Sequence, residues 1–124
     1  MCGIAGLTGR RDQDALQSML DAIAHRGPDD QGQHWVDTGG SGWVGLGNRR
    51  LAILDLSSAG HQPMAVGGDV LAYNGEVYNF QTLRRELVGS GVGFESGSDT
   101  EVVLHVLRRD GADALARLNG MFAL

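Results

Sequence analysis

The chain has 124 residues, enough for one domain with a buried core. Fifteen acidic residues against ten basic ones give a net charge of -5, which argues against binding a nucleic-acid backbone and favours a small polar ligand. A single cysteine excludes a disulfide framework, and neither a secretory signal nor a bilayer-spanning apolar run is visible, so we expect a cytoplasmic protein.

Short apolar segments interrupted by 20 glycines predict strands joined by tight turns, while longer segments carry apolar residues at helical spacing. Asp12 and Ser98 are the predicted N-caps of two helices, and Ser98 with Glu101 predicts a capping box. Because strands cluster before helices instead of alternating with them, we predict an α+β fold with largely antiparallel sheets. In chain order we predict a strand over 3–8, a helix over 12–24, a hairpin of strands 33–36 and 43–46, a strand over 51–54, a loop over 55–64, a strand over 70–73, helices over 79–88 and 98–109, a short helix over 111–118, and the start of a strand at 121–124.

Cys2 is the only cysteine and directly follows Met1. If Met1 is removed, Cys2 carries a thiol and a free α-amine, so a nucleophile and a nearby base lie on one residue. A lone cysteine is more often an inert buried side chain, and a redox thiol is a third interpretation. Position alone leaves the role of Cys2 open.

Other chemically useful side chains stand at the ends of predicted elements. An arginine fork suits a carboxylate, paired acidic groups suit an ammonium, and Asn followed by a Gly N–H suits a developing oxyanion. Together with a thiolate they describe a site for a zwitterionic amino acid. The plain alternatives are a hairpin turn for Asn74-Gly75, solvated charges or caps for Glu76 and Asp99, and a surface cation for Arg50. The residues are Cys2, Arg26, Arg50, Asn74, Gly75, Glu76 and Asp99.

Cofactor chemistry has little support in the sequence. The four histidines lack the spacing of a zinc-binding helix, and neither glycine-rich phosphate pattern occurs. We therefore expect no metal and no cofactor in this domain. The adjacent Arg49 and Arg50 should point to opposite faces of an extended chain, so one of them is expected to face inward.

Six segments at compatible spacings carry a family resemblance. The chain resembles the N-terminal glutaminase domain of class II glutamine amidotransferases, most closely that of glutamine-hydrolysing asparagine synthetase. Asn48 departs from the pattern, since the closest relatives commonly have His there. The matching segments are MCGIAG at 1–6, HRGPD at 25–29, RLAILD at 50–55, HQPM at 61–64, YNGEVYN at 73–79 and GSDTE at 97–101.

The resemblance implies a mechanism and a substrate. Cys2, after loss of Met1, would attack the side-chain amide of glutamine to give a thioester and ammonia, and water would then release glutamate. Asn74 and the Gly75 N–H would form the oxyanion hole. Arg50 would bind the α-carboxylate, Glu76 and Asp99 the α-ammonium, and Arg26 would border the pocket. The segment lining the same pocket is Leu51, Ala52, Ile53 and Leu54.

The resemblance also implies a fold and partners. The family fold is the N-terminal nucleophile hydrolase αββα sandwich, and its glutaminase domain runs well past Leu124. We therefore expect residues 1–124 to be the N-terminal portion of that domain, C-terminally truncated. The ammonia would feed asparagine synthesis from aspartate in a synthetase domain or subunit that uses ATP and Mg, with a homodimer as one option. The alternative is a non-catalytic remnant or glutamine-binding module.

Overall fold

The computed structural model describes residues 2–40 and 42–124 and has mixed α and β structure with antiparallel sheets. The predicted α+β class is confirmed at that level. None of the described helices has both the length and the apolar character that crossing a bilayer requires. The elements are β1 (Gly3–Gly9), α1 (Gln13–Ala22), β2 (Asp30–Asp37), β3 (Trp43–Arg50), β4 (Met64–Val66), β5 (Asp69–Leu71), β6 (Asn74–Val77), α2 (Phe80–Gly89), α3 (Asp99–Asp110) and β7 (Gly120–Ala123), with 3₁₀ turns at Ala24–Arg26, Ser58–Gly60 and Gly111–Arg117.

The N-terminal sheet is three-stranded with β3 in the middle, flanked antiparallel by β1 and β2. Helix α1 covers one face, and its Leu16 and Leu20 are fully buried. Gly47 of β3 lets the helix approach, because a Cβ there would lie 3.0 Å from the Leu20 methyl carbons. Asp12 caps α1 as predicted, with its Oδ1 accepting the Ala15 N–H at 2.9 Å.

The rest of the chain packs α2 and α3 over two short antiparallel hairpins, β4–β5 and β6–β7. Ser98 caps α3 as predicted, and its Oγ accepts the Glu101 N–H at 3.4 Å. The Glu101 carboxylate does not complete the predicted capping box. It instead accepts the backbone N–H groups of Glu95 and Ser96 at 2.9 and 2.7 Å, which orders the turn before α3. The core of this half comprises Met64, Leu71, Tyr73, Val77, Leu83, Leu87, Val102, Val103, Leu104, Val106 and Ala114.

The strand predicted over 51–54 is wrong. Strand β3 ends at Arg50, and the following residues form an irregular segment. Long-range contacts replace the strand pairing, since the Ala52 N–H donates to Asp29 Oδ2 at 2.9 Å and the Arg50 side chain donates to carbonyl groups further along the segment. These contacts turn the chain away from the sheet.

Smaller predictions also need correction. Strands β2 and β3 are longer than predicted, because their pairing continues as far as Asp30 opposite Arg50. Residues 64–66, placed partly in the predicted loop, form β4 against β5. The predicted short helix over 111–118 is a 3₁₀ helix, Gly111–Arg117. The predicted strand at the end of the chain is present as β7, which pairs with β6.

Candidate active site

Cys2 lies just before β1, beside the end of β3, because Gly3 pairs with Arg49 in the antiparallel register. Its Sγ accepts the Leu51 N–H at 3.4 Å and lies 3.8 Å from the Leu51 carbonyl oxygen. Arg26 fixes the backbone of Cys2, since its Nε donates to the Cys2 carbonyl at 3.0 Å. Cys2 is therefore held at its sulfur by Leu51 and at its carbonyl by Arg26, while the residue stays partly accessible. Met1, whose removal is predicted, lies outside the residues that the structure describes.

Arg50 is the inward-facing member of the arginine pair and is 8% exposed, so its interpretation as a surface cation is wrong. Its Nη1 donates to the Ser57 carbonyl at 3.0 Å, and its Nη2 donates to the Asp55 carbonyl. Gly60 leaves room for the Arg50 side chain, because a Cβ at position 60 would overlap the guanidinium. A guanidinium has five N–H donors, so others stay available for a carboxylate ligand.

The Asp55 side chain ties the segment after β3 to the turn before α3. Its Oδ1 accepts from the Ser57 Oγ at 2.6 Å and the Ser57 N–H at 2.8 Å, and its Oδ2 accepts the Gly97 N–H at 2.7 Å. These hydrogen bonds lower the pKa of Asp55 to about 2, and the bond from the Ser57 hydroxyl contributes most. Asp55 therefore links Arg50, through its carbonyl, to the segment that leads into Asp99.

Asn74, Gly75 and Glu76 belong to β6, so the interpretation of Asn74-Gly75 as a hairpin turn is wrong. Gly75 pairs with Phe122 of β7, and a Cβ there would lie 2.6 Å from the Phe122 Cα, which explains the glycine. Glu76 is exposed. The Oδ1 atom of Asn74 is buried and has no hydrogen-bond partner among the described residues.

Asp99 is the first residue of α3 and is 5% exposed, so its interpretation as a solvated charge is wrong. Its Oδ2 accepts the Tyr73 O–H at 2.8 Å and the Val77 N–H at 3.0 Å. Burial is the largest effect that raises the pKa of Tyr73, and the negative charge of Asp99 is the next. The phenol therefore stays protonated as a donor to the carboxylate.

These groups meet at one cavity of about 150 Å³. Among the predicted site residues, Asn74, Ala52 and Arg26 are not part of its wall; Arg26 contacts the backbone of Cys2, and Ala52 lines a neighbouring depression. His, Cys, Asp and Glu side chains of the described residues form no group of three or more suited to a metal ion. The predicted residues in the wall are Cys2, Arg50, Leu51, Ile53, Leu54, Gly75, Glu76 and Asp99.

Sequence reasoning gave no role to several other wall residues, among them Asp55, Gln62, Tyr73, Thr100 and Met121. Gln62 connects three parts of the fold: its Oε1 accepts from Asn48 Nδ2 at 3.2 Å and from the Tyr73 N–H at 2.7 Å, and its Nε2 donates to Thr100 Oγ1 at 3.3 Å. Gln62 and Tyr73 lie in the matching segments 61–64 and 73–79, which is the signal that could have drawn attention to them.

The comparisons with known proteins identify the class to which this fold and cavity belong. Residues 1–124 match the family described as "Glutamine amidotransferase domain", and the chain belongs to this family. It is 37% identical to the putative asparagine synthetase [glutamine-hydrolyzing] 2 of Methanocaldococcus jannaschii and 40% identical to asparagine synthetase [glutamine-hydrolyzing] 3 of Bacillus subtilis, each over 99% of this chain. It is 38% identical, over 89% of its length, to the amidase chry2 of Gibberella zeae. The alignments cover 27%, 20% and 16% of those relatives, so the chain spans about a quarter of their length or less.

Proposed function

We propose that this chain hydrolyses the side-chain amide of glutamine, releasing ammonia and glutamate, with Cys2 as the nucleophile after removal of Met1. The observation that carries the proposal is the cavity itself. Its wall is formed by Cys2 together with two buried residues of opposite charge, Arg50 and Asp99. Opposite charges on one small cavity suit the two α-groups of an amino acid.

The charged residues of the wall would divide the recognition of glutamine between them. Arg50 would bind the α-carboxylate with N–H groups that Asp55 and Ser57 leave unused. Asp99 and Glu76 would bind the α-ammonium, and the segment 51–54 would line the same pocket. With both α-groups held, only a side chain of glutamine's length brings its amide carbon to Cys2, so asparagine should be rejected.

The chemical step would use groups that the chain itself supplies. The Cys2 α-amine would accept the thiol proton, and the sulfur would attack the amide carbon. Asn74 and the Gly75 N–H would stabilise the oxyanion, since Gly75 lies in the cavity wall and Asn74 precedes it on β6. The Cys2 α-ammonium would return that proton to the departing nitrogen, so ammonia leaves and a thioester remains on Cys2; water would then hydrolyse the thioester to glutamate and the free thiol. Arg26 would keep Cys2 in place through the hydrogen bond to its carbonyl.

At the level of the whole protein, we propose an N-terminal nucleophile hydrolase sandwich of αββα type, of which residues 1–124 form the N-terminal portion. Its three antiparallel sheets and covering helices are compatible with that architecture. The ammonia would pass to a synthetase domain or subunit that uses ATP and Mg to form asparagine from aspartate, as the names of the asparagine synthetase relatives suggest. A homodimer and the cytoplasmic location stay predictions.

The test is ammonia release from glutamine by the chain whose N-terminus, measured by mass spectrometry, is Cys2. We expect release from glutamine but not from asparagine, and expect Cys2→Ala to abolish it while calorimetry still detects glutamine binding. Binding without release by the unsubstituted chain would instead indicate a glutamine-binding module. A fully active Cys2→Ala chain would refute the proposed nucleophile.

A further inference from the structure

The two oxygen atoms of the Asp99 carboxylate have different surroundings. Oδ2 accepts two hydrogen bonds, from the Tyr73 O–H at 2.8 Å and from the Val77 N–H at 3.0 Å. Among the described residues no donor reaches Oδ1, although Asp99 forms part of the cavity wall. The protein thus holds one oxygen of the carboxylate and leaves the other for a ligand.

Tyr73 is itself firmly held. The residue is 2% exposed, its N–H donates to Gln62 Oε1 at 2.7 Å, and its carbonyl accepts from Asn48 Nδ2 at 3.2 Å. A side chain fixed at its backbone and buried around its ring has little freedom to rotate. Its hydroxyl therefore presents a donor at one place, next to Asp99.

We propose that Tyr73 is a positioning residue for recognition of the substrate's α-amino group. By donating to Oδ2, Tyr73 fixes the rotation of the Asp99 carboxylate, so that Oδ1 faces the α-ammonium. This inference rests on the proposed function, in which Asp99 binds that ammonium. It adds a residue that acts through Asp99 and is absent from the set predicted from sequence.

The Val77 N–H alone would not hold the carboxylate in the same way. A single hydrogen bond to Oδ2 permits rotation about the Cβ–Cγ bond of Asp99, whereas two donors from different directions restrict it. Loss of the Tyr73 hydroxyl should therefore weaken glutamine binding without changing the groups at Cys2. The expected signature is a raised KM with a nearly unchanged kcat.

The decisive variant is Tyr73→Phe, which removes one oxygen atom and keeps the ring. We expect KM for glutamine to rise about 10-fold, the order of effect of one hydrogen bond to a charged group, with kcat within about 3-fold. Tyr78→Phe is the matched control, since the Tyr78 ring is 54% exposed, and it should leave both constants unchanged. An unchanged KM in Tyr73→Phe would overturn the proposal.

A double-variant cycle separates positioning from an independent effect. If Tyr73 acts through Asp99, adding Tyr73→Phe to Asp99→Asn should raise KM no further than Asp99→Asn alone. An equal rise in both backgrounds would overturn the proposal. If Tyr73→Phe melts near the assay temperature, glutamine binding is compared in the cold, by the protection that glutamine gives Cys2 against iodoacetamide. Protection of Tyr73→Phe should require about 10-fold more glutamine than protection of the native chain. Equal protection of the two chains would overturn the proposal.

Failure of the proposed function gives a different result. A chain with native Tyr73 and a Cys2 N-terminus that neither releases ammonia from glutamine nor is protected by it would refute the glutaminase assignment. If the native chain releases ammonia and is protected by glutamine, and the Tyr73→Phe variant has the same KM and the same protection, only the role of Tyr73 is refuted.

Discussion

Arg50 has two tasks, because the guanidinium that would bind a substrate carboxylate also donates to the carbonyls of Asp55 and Ser57. On the proposed function, a bound carboxylate and the segment after β3 would therefore share one cation. Asp55 adds a second link, since its carboxylate binds the Gly97 N–H just before Asp99. Asp55 thus connects Arg50 to the turn that leads into Asp99.

Asn74 provides the sharpest test of catalysis at the level of one residue. Asn74→Ala removes an amide that would contact the oxyanion only as negative charge develops there. We expect kcat to fall about 10²–10³-fold with little change in KM, because the lost hydrogen bond exists mainly in the transition state. Steady-state rates of ammonia release give both constants. A variant with native kcat would show that Gly75 alone, or other groups, stabilise the oxyanion.

At the scale of elements, Gly75 allows strands β6 and β7 to lie close together. A Cβ at Gly75 would lie 2.6 Å from the Phe122 Cα, whereas the region around Gly89, at the end of α2, is open. We expect Gly75→Ala to lower the free energy of unfolding by about 1–3 kcal/mol through overpacking. Gly89→Ala, the matched control, should raise it by up to about 1 kcal/mol because alanine favours the helix.

Urea unfolding measures both variants. Equal stabilities for Gly75→Ala and the native chain would mean that β7 can move aside without cost. The activity of Gly75→Ala should also fall, since the N–H proposed for the oxyanion lies on the same strand.

Local signals in the sequence predicted the capped helices well. Asp12 and Ser98 act within one helical turn, so their roles can be seen in neighbouring letters. The strand predicted over 51–54 is wrong because the partner of Ala52 is Asp29, which no local pattern reveals. The Tyr73–Asp99 hydrogen bond joins residues 26 positions apart and needed the fold to be seen.

The site, like the fold, was predictable from the sequence only in part. The matching segments predicted Cys2, Arg50, Gly75 and Asp99, and the structure brings all four to one cavity. The segments could not indicate which neighbour orients each group. Gln62 contacts Asn48, Tyr73 and Thr100 only after three parts of the chain have packed together.

At the scale of the whole molecule, acid should weaken the fold through Asp55. Its pKa is lowered in the folded chain to about 2, from 3.8 for an unperturbed carboxyl, so its charge stabilises the fold above about pH 4. That stabilisation is lost as the pH falls from about 4 towards 2. We expect the stability difference between the native chain and Asp55→Asn, measured by urea unfolding, to shrink over this range. A difference independent of pH would contradict the assignment.

Asp110 offers a comparison far from the cavity. Hydrogen bonds from Arg109 and then Arg117 lower its pKa to about 2 as well. Asp110→Asn should therefore show the same pH dependence of stability as Asp55→Asn, whereas glutamine binding should respond only to Asp55→Asn.

The cavity wall includes both Cys2, which lies just before β1, and Met121 of β7. During synthesis on a ribosome, Cys2 therefore emerges long before β7 is available to pair with β6. The pocket can close only after nearly every residue in between has been added, and contacts of such long range form slowly. On the proposed function, amide hydrolysis would thus be withheld from the nascent polypeptide until β7 has paired with β6.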